Sequence, residues 1–331
     1  MTRLTIGKDG FTVDADTVAT GRTCIIGASG SGKSYTVGVL CEELCKAKVP
    51  FALIDTEGEY SSLKGKFDMV WIADEEKADE RWGSFSVEEL ASQATTAPPL
   101  ILDVSESTGN GRHLVDEFLT ALYKVVDSKP TPYLVIIEEA DKFIPQVGEA
   151  LPIVGEIARR GRKRGLGLVL CTQRPSLVDK DTLSQCSNQL IGRLEIRNDL
   201  ASVTQFFPGR DLPKQLTALA PGEFYVMGNL SPEPQKVQIR ERETVPGGVS
   251  PKLAEREIKP LALTTRYLPP TADVTILLRD GTKASQFEGL VEALQGKGTA
   301  PLNIALIKSV HIKPGSKVEV RYKDQAEVVE S

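Results

Sequence analysis

Short apolar runs, each broken off by polar or glycine residues, punctuate the first part of the chain: Thr23 to Ile26, Phe51 to Ile54, Pro99 to Leu102, Tyr133 to Ile137 and Leu166 to Cys171. None alternates apolar with polar positions, so each predicts a strand covered on both faces, as in a parallel sheet clothed by helices. Helical spacing separates them, clearest from Tyr35 to Cys45 and in Leu114, Phe118, Leu122 and Val125, where a helix is expected to follow Gly109–His113 and end near Val126. Later segments predict a strand from Gln189 to Leu194, helices over Asp199–Phe207 and Leu212–Leu219, and strands over Glu223–Met227 and Lys236–Ile239. The pattern is α/β, with a central sheet mostly parallel early and antiparallel at its late edge. Arg3 to Val13 reads as a short hairpin adding an edge to this core. Between 61 and 98, a short strand at Asp68–Ile72, an acidic exposed loop from Asp74 to Glu80 and a helix at Val87–Gln93 are expected.

Pro246 to Pro251 closes the first pattern, giving a core of residues 1–248 and a Pro-rich, mixed-charge linker over 249–270. Residues 271–331 predict a small C-terminal α/β domain: a strand at Val274–Leu278, a helix at about Ser285–Leu294, then strands near Asn303–Val310 and Lys317–Tyr322. It carries no chemical motif, and packing on the exterior or supporting oligomerisation is its simplest role.

The chemistry concentrates where the first core strand ends. Gly27, Ala28, Ser29, Gly30, Ser31, Gly32, Lys33 and Ser34 fit the phosphate-binding spacing G-x-x-x-x-G-K-S, and Tyr35 continues into the helix that follows. Glycines let successive N–H groups curl inward onto phosphate oxygens, while the helix N-terminus adds its partial positive charge. Lys33 is placed to reach the outer phosphates of ATP, and Ser34 to bind its magnesium ion.

A second element must hold the metal and orient water. The Tyr133–Ile137 run ends in Glu138 and Glu139, which points both carboxylates at the ligand edge of the sheet. Glu138 is the candidate for the magnesium side, through water, and Glu139 for the attacking water. Asp55 to Tyr60 forms an acidic, glycine-containing exit from another strand. Gln173, following Leu166–Thr172, can sense the terminal phosphate. Arg159, Arg160, Arg162, Lys163 and Arg164 form a basic run that suits either a solvated helix end or an arginine finger into a neighbouring subunit's site.

In these pieces the chain resembles the HerA/FtsK superfamily of ring-forming motor ATPases, and HerA-like proteins most. The matching residues are Gly27 to Ser34, Asp55 with Gly58, Glu59 and Tyr60, Glu138–Glu139–Ala140, Gly161–Arg162–Lys163 with Gly165–Leu166–Gly167, Thr172 to Ser176, and Pro221 to Val226. The resemblance covers roughly residues 20 to 245. It implies a RecA-like P-loop NTPase core acting as a hexamer that threads double-stranded DNA. It also implies Glu139 as catalytic glutamate, Gln173 as phosphate sensor and Arg162 as trans-acting finger, with Arg160 and Arg164 as rivals. Two departures stand out. Glu138 and Asp141 replace the family's usual aspartate and histidine, and a core without the family's N-terminal β-barrel is expected, with only about twenty residues before the first core strand.

Composition bounds the reading. A net charge of −5 over 331 residues argues against a broad nucleic-acid surface, although a ring needs only a few cations per subunit because symmetry multiplies them. Five cysteines and two histidines give no zinc-ligand pattern. Neither a signal region nor a membrane-length apolar run is evident, so a cytoplasmic protein without a membrane partner is expected. The leading expectation is an ATP-hydrolysing, magnesium-dependent translocase of double-stranded DNA in DNA processing or packaging, with a nuclease as candidate partner. The alternative is an ATP-dependent assembly switch that docks a nuclease or structural partner with little translocation. A small-molecule kinase fits less well, because Gln173 and the paired glutamates suit hydrolysis better than transfer to an acceptor.

Overall fold

The computed structural model describes residues 2–107, 109–207 and 212–247, together with six strands between residues 265 and 330. The chain divides into two compact units, Met1–Pro251 and Lys252–Ser331.

The first unit is built on one nine-stranded sheet. In chain order its elements are a hairpin of β1 (Arg3–Thr5) and β2 (Thr12–Asp14), α1 (Ala15–Ala19), β3 (Arg22–Ile26), α2 (Lys33–Lys46), β4 (Phe51–Asp55), β5 (Val70–Ile72), α3 (Val87–Ala94), β6 (Leu100–Asp103) and α4 (Gly111–Ser128). Then follow β7 (Tyr133–Ile137), α5 (Pro152–Arg160), β8 (Leu166–Thr172), α6 (Lys180–Ser184), β9 (Asn188–Ile191), α7 (Arg197–Val203), α8 (Leu212–Thr217), β10 (Glu223–Gly228) and β11 (Gln235–Gln238). The strand order is β11-β10-β9-β3-β8-β7-β4-β6-β5. Pairings from β9 across to β5 are parallel, and β10 pairs antiparallel with both β9 and β11. This is a RecA-like arrangement, with β8 inserted between the strand that leads into the phosphate loop and the strand that ends at Glu138.

The run-like sequence of these strands has a direct structural cause. Alternate residues of one strand enter two different cores: Tyr133, Val135 and Ile137 join Leu119, Leu122, Ile157 and Ala158 on one face, while Leu134 and Ile136 join Val37, Cys41 and Leu44 on the other. Each face therefore needs its own helices, α3 to α5 on one side and α2 on the other. Truncating one such buried leucine to alanine costs about 2–5 kcal/mol, so the strand ends that carry chemistry rest on a stiff platform.

The N-terminal hairpin forms, but as its own two-stranded ribbon and not as an edge of the large sheet. Three-residue strands are too short for a ladder along β11, and the contact reduces to a bridge between Gly7 and Ile239 with a few backbone bonds. Four of the five cysteines are buried and all are free. Among the described residues no helix is long and apolar enough to cross a membrane.

The second unit contributes β12 (Thr265–Tyr267), β13 (Ala272–Leu278), β14 (Pro301–Asn303), β15 (Ile307–Pro314), β16 (Lys317–Tyr322) and β17 (Gln325–Glu330). Four of them form a mixed sheet in the order β15-β13-β16-β17, with β13 and β16 parallel. The expected helix at Ser285–Leu294 and most of the 249–270 linker lie outside the described residues.

Candidate phosphate site at the sheet edge

The loop from Gly27 to Gly32 leaves the central strand β3 and turns directly into α2. Its curl depends on glycine at two points: Gly30 and Gly32 have φ of +72° and +93°, a region that costs an L side chain roughly 1–2 kcal/mol. A Cβ at Gly32 would also meet the Gly222 nitrogen at 2.9 Å, and one at Gly27 would meet Ser31 Oγ at 2.4 Å. Gly222 props the loop from outside, its N–H donating to the Ser31 carbonyl at 2.8 Å. That contact gives the Pro221–Gly222 segment a structural task. The first N–H groups of a helix lack intrahelical partners, so the start of α2 offers donors and a partial positive charge to whatever the loop encloses.

Lys33, only 5% exposed, reaches from this loop to both glutamates, its ammonium 2.7 Å from Glu138 Oε2 and 3.2 Å from Glu139 Oε1. Burial by itself would lower the Lys33 pKa, but the adjacent Glu138 carboxylate, helped by Glu139, holds it above the ordinary lysine value. The other oxygen of Glu138, Oε1, accepts the Tyr60 hydroxyl, and burial together with that carboxylate keeps the phenol protonated. Glu139 sits at φ +45°, ψ 59°, a left-handed conformation uncommon for a residue with a side chain and concentrated at functional sites. Its Oε1 accepts from Gln173 Nε2 at 2.6 Å, so the ends of β7 and β8 are tied by two of the polar side chains singled out in the sequence.

Asp55 shapes the exit of β4. Its carboxylate accepts the backbone N–H groups of Glu57, Gly58 and Tyr60 at 3.1, 2.9 and 3.0 Å, which coils the turn tightly and delivers the Tyr60 ring to Glu138. Burial, with Asp103 opposite it on β6, pushes the Asp55 pKa up to about 7 despite those bonds. Lys142 pairs with Glu57 at 2.5 Å. Asp141 accepts the Thr172 hydroxyl at 3.0 Å, and that same oxygen accepts the Arg174 N–H.

These groups enclose a cleft of about 340 Å³ whose walls include Ser34, Tyr60, Glu138, Glu139 and Gln173. Asp55, Glu57 and Glu59 add further acidic groups, against Lys142 at the wall and Lys33 beside Glu138 and Glu139. An anionic phosphate chain would meet net repulsion from so acidic a wall unless a divalent cation came with it. Ser34 and Glu138 fit that cation, as a hydroxyl and a carboxylate beside the loop. No cluster of three or more His, Cys, Asp or Glu ligands occurs among the described residues. The loop also keeps an orphaned polar atom: Ser31 Oγ is buried with no hydrogen-bond partner.

The structure thus brings together Lys33, Ser34, Glu138, Glu139 and Gln173. Tyr35 is engaged elsewhere, its hydroxyl accepting the Arg242 N–H at 2.6 Å. The basic run is also apart: Arg159 and Arg160 end α5, and Arg162 to Arg164 form the turn before β8, whereas Gln173 follows the far end of that strand. A strand of this length spans about 23 Å. Sequence alone did not indicate the Tyr60 hydroxyl on Glu138, the Lys142 pair, or Arg193, whose carbonyl accepts the Ala28 N–H at 2.8 Å. Tyr60 lay within a quoted motif, but spacing says nothing about where its ring points.

Residues 6–146 match the family model described as "Helicase HerA, central domain". Among curated proteins, the "DNA double-strand break repair helicase HerA" of Pyrococcus furiosus is 35% identical over 138 residues, covering 40% of this chain and 25% of that protein. "Probable helicase MJ1565" of Methanocaldococcus jannaschii is 38% identical over 128 residues, covering 38% and 25%. The chain spans about a quarter of the length of these relatives. Among solved structures, the bacterial conjugative coupling protein TrwBΔN70 aligns with a TM-score of 0.56 at 13% identity, over 72% of this chain and 90% of that one. The genome packaging NTPase B204 of Sulfolobus turreted icosahedral virus 2, in complex with ATPγS, aligns with a TM-score of 0.50 at 17% identity, over 66% and 97%. Over residues 6–146 the chain is thus similar to the HerA central domain, and its glycine loop and strand order fit a RecA-like P-loop fold.

Proposed function

We propose that this chain is an ATP-hydrolysing motor of the HerA type that assembles into a ring, as a hexamer, and moves double-stranded DNA in DNA processing or packaging. The observation that carries the reading is the convergence of Glu138, Glu139 and Gln173 on one cleft, with the buried Lys33 of the glycine loop paired to both glutamates. In this reading the loop N–H groups and Lys33 hold the outer phosphates, and Tyr60 fixes Glu138 so that its carboxylate faces the metal side. Magnesium held at Ser34 and Glu138 would neutralise phosphate charge. Glu139 orients the attacking water and takes its proton, and Gln173, bonded to Glu139, shifts with the terminal phosphate and reports its loss. Arg162 is assigned as the finger that completes a neighbouring subunit's site. The DNA cargo is supported by the names of the relatives, helicase, coupling protein and packaging NTPase. A cytoplasmic location and a nuclease partner belong to the same proposal.

The test is steady-state ATPase against protein concentration, with and without duplex DNA. Turnover per subunit is expected to rise steeply as rings form and to increase again with double-stranded DNA, while Lys33→Ala abolishes it. A rate indifferent to both variables removes the motor. A rise with concentration alone, without displacement of a triplex strand from duplex DNA, leaves the assembly switch instead.

A further inference from the structure

Arg193 stands beside the phosphate loop on the flank that Lys33 does not serve. The segment Gly192–Arg193 continues β9 past its last paired residue and is stitched to the loop strand at two points: Gly192 N–H donates to the Ile26 carbonyl at 2.8 Å, and Ala28 N–H donates to the Arg193 carbonyl at 2.8 Å. A side chain does not fit at Gly192, because the Phe224 ring lies 2.8 Å from where its Cβ would be. The Arg193 side chain folds back over the loop, with Nη2 3.9 Å from a Cβ built on Gly30. Its Nε is buried without a hydrogen-bond partner and lies 3.4 Å from Glu195 Oε1, its one ion-pair neighbour among the described residues, on a side chain that is 64% exposed. With its own side chain 29% exposed, Arg193 keeps its guanidinium accessible to a ligand, held only by that solvent-facing carboxylate.

We propose that Arg193 is a second cation of the phosphate loop, binding phosphate oxygens of a nucleoside polyphosphate from the β9 flank while Lys33 approaches from the β7 and β8 flank. The strand order β9-β3-β8-β7 places the loop between the two. Lys33 is neutralised by Glu138 and Glu139, whereas Arg193 brings a charge with no buried carboxylate beside it. It therefore adds positive charge beside the loop when phosphates arrive, and its planar fork suits two oxygens at once. The proposal rests on the nucleotide-binding reading of the cleft.

The experiment is equilibrium binding of fluorescent ATP, ADP and AMP analogues to the full chain, wild type and variants, with thermal unfolding measured alongside. Arg193→Gln and Arg193→Ala are expected to weaken the tri- and diphosphate on the order of tenfold to a hundredfold, with AMP affected less and the melting temperature kept. Arg193→Lys, which keeps the charge and loses the fork, recovers part of the loss and keeps the test open should the shorter side chains fail to fold. Wild-type affinity in Arg193→Gln, alongside loss in Lys33→Ala, overturns the Arg193 assignment alone. Wild-type affinity in Lys33→Ala removes the nucleotide site, and the proposal with it. Equal weakening of all three nucleotides with a lowered melting temperature assigns Arg193 a structural role and also overturns it.

Discussion

The two edges of the central sheet in the first unit are built on opposite principles. At the C-terminal ends of β4, β7 and β8, Lys33, Tyr60, Glu138, Glu139 and Gln173 are locked together, and the lysine is 5% exposed. At the opposite ends, Arg159 and Arg160 share Glu156 at 3.3 Å in loose surface pairs, while the side chains of Arg162 and Lys163 are exposed and make neither hydrogen bond nor ion pair among the described residues. Arg164 is the exception, held by Asp127 at 2.5 Å and stacked 4.7 Å from the Tyr123 ring centre. The turn itself is anchored from below, since buried Arg22 donates to the Ala158 carbonyl at 2.7 Å near the end of α5. One edge satisfies itself and the other presents a rigid turn with uncommitted cations. Arg162 cannot reach its own chain's cleft along the strand, so a catalytic use of it requires a second copy. The structure also separates it from Arg164, its rival in the sequence, whose guanidinium already has partners.

The largest effect that could break this contrast comes from Arg162. Arg162→Ala is expected to lower ATP turnover about 10³-fold or more while nucleotide affinity stays put. Mixing it with Lys33→Ala subunits should restore part of the activity, because the inactive Lys33 variant still lends its arginine. Arg164→Ala should instead cost about 1 kcal/mol of stability, through the lost stacking and ion pair, and spare turnover. If the two arginine variants trade these outcomes in ATPase and denaturation assays, the assignment of the free cation is wrong.

Next in size, Glu139→Gln is expected to bind ATP and to slow its hydrolysis about 10²- to 10⁴-fold, seen as retained nucleotide in a single-turnover assay. Rapid turnover in that variant would move the role away from the strained residue at the end of β7.

The smallest effect concerns how the buried edge responds to pH. Because the Asp55 pKa is raised to about 7 from 3.8, its contribution is complete below about pH 4 and is lost as pH rises through 7. Chemical denaturation of the isolated chain should show unfolding free energy falling by up to about 1.4 kcal/mol per pH unit across this window. Asp55→Asn should flatten that slope, and an unchanged slope would place the titration on another group.

Much of the platform was legible beforehand because burial on both faces leaves a mark in the chain. Runs such as Tyr133–Ile137 and Phe51–Ile54 have no polar face to hide, and the glycine loop needs residues at fixed positions for steric reasons that act locally. The hairpin was legible as a hairpin but not in its placement, since pairing partners of three-residue strands are chosen by the surface they land on. The paired glutamates and Gln173 could be assigned to one edge because parallel strands end together. Arg193, the Tyr60 hydroxyl and the buttress from Gly222 gave no such signal, for each acts through a neighbour distant in sequence.

Sequence by itself determined the order of strands and helices, the phosphate loop and the identity of the acidic edge, because those depend on short-range sterics and on periodic burial. Tertiary structure alone decided the flanks from which Lys33 and Arg193 approach the loop and the left-handed setting of Glu139. These are fixed by the order in which strands pair and by the packing around them, and strand order is a property of the assembled sheet that no local stretch of residues contains.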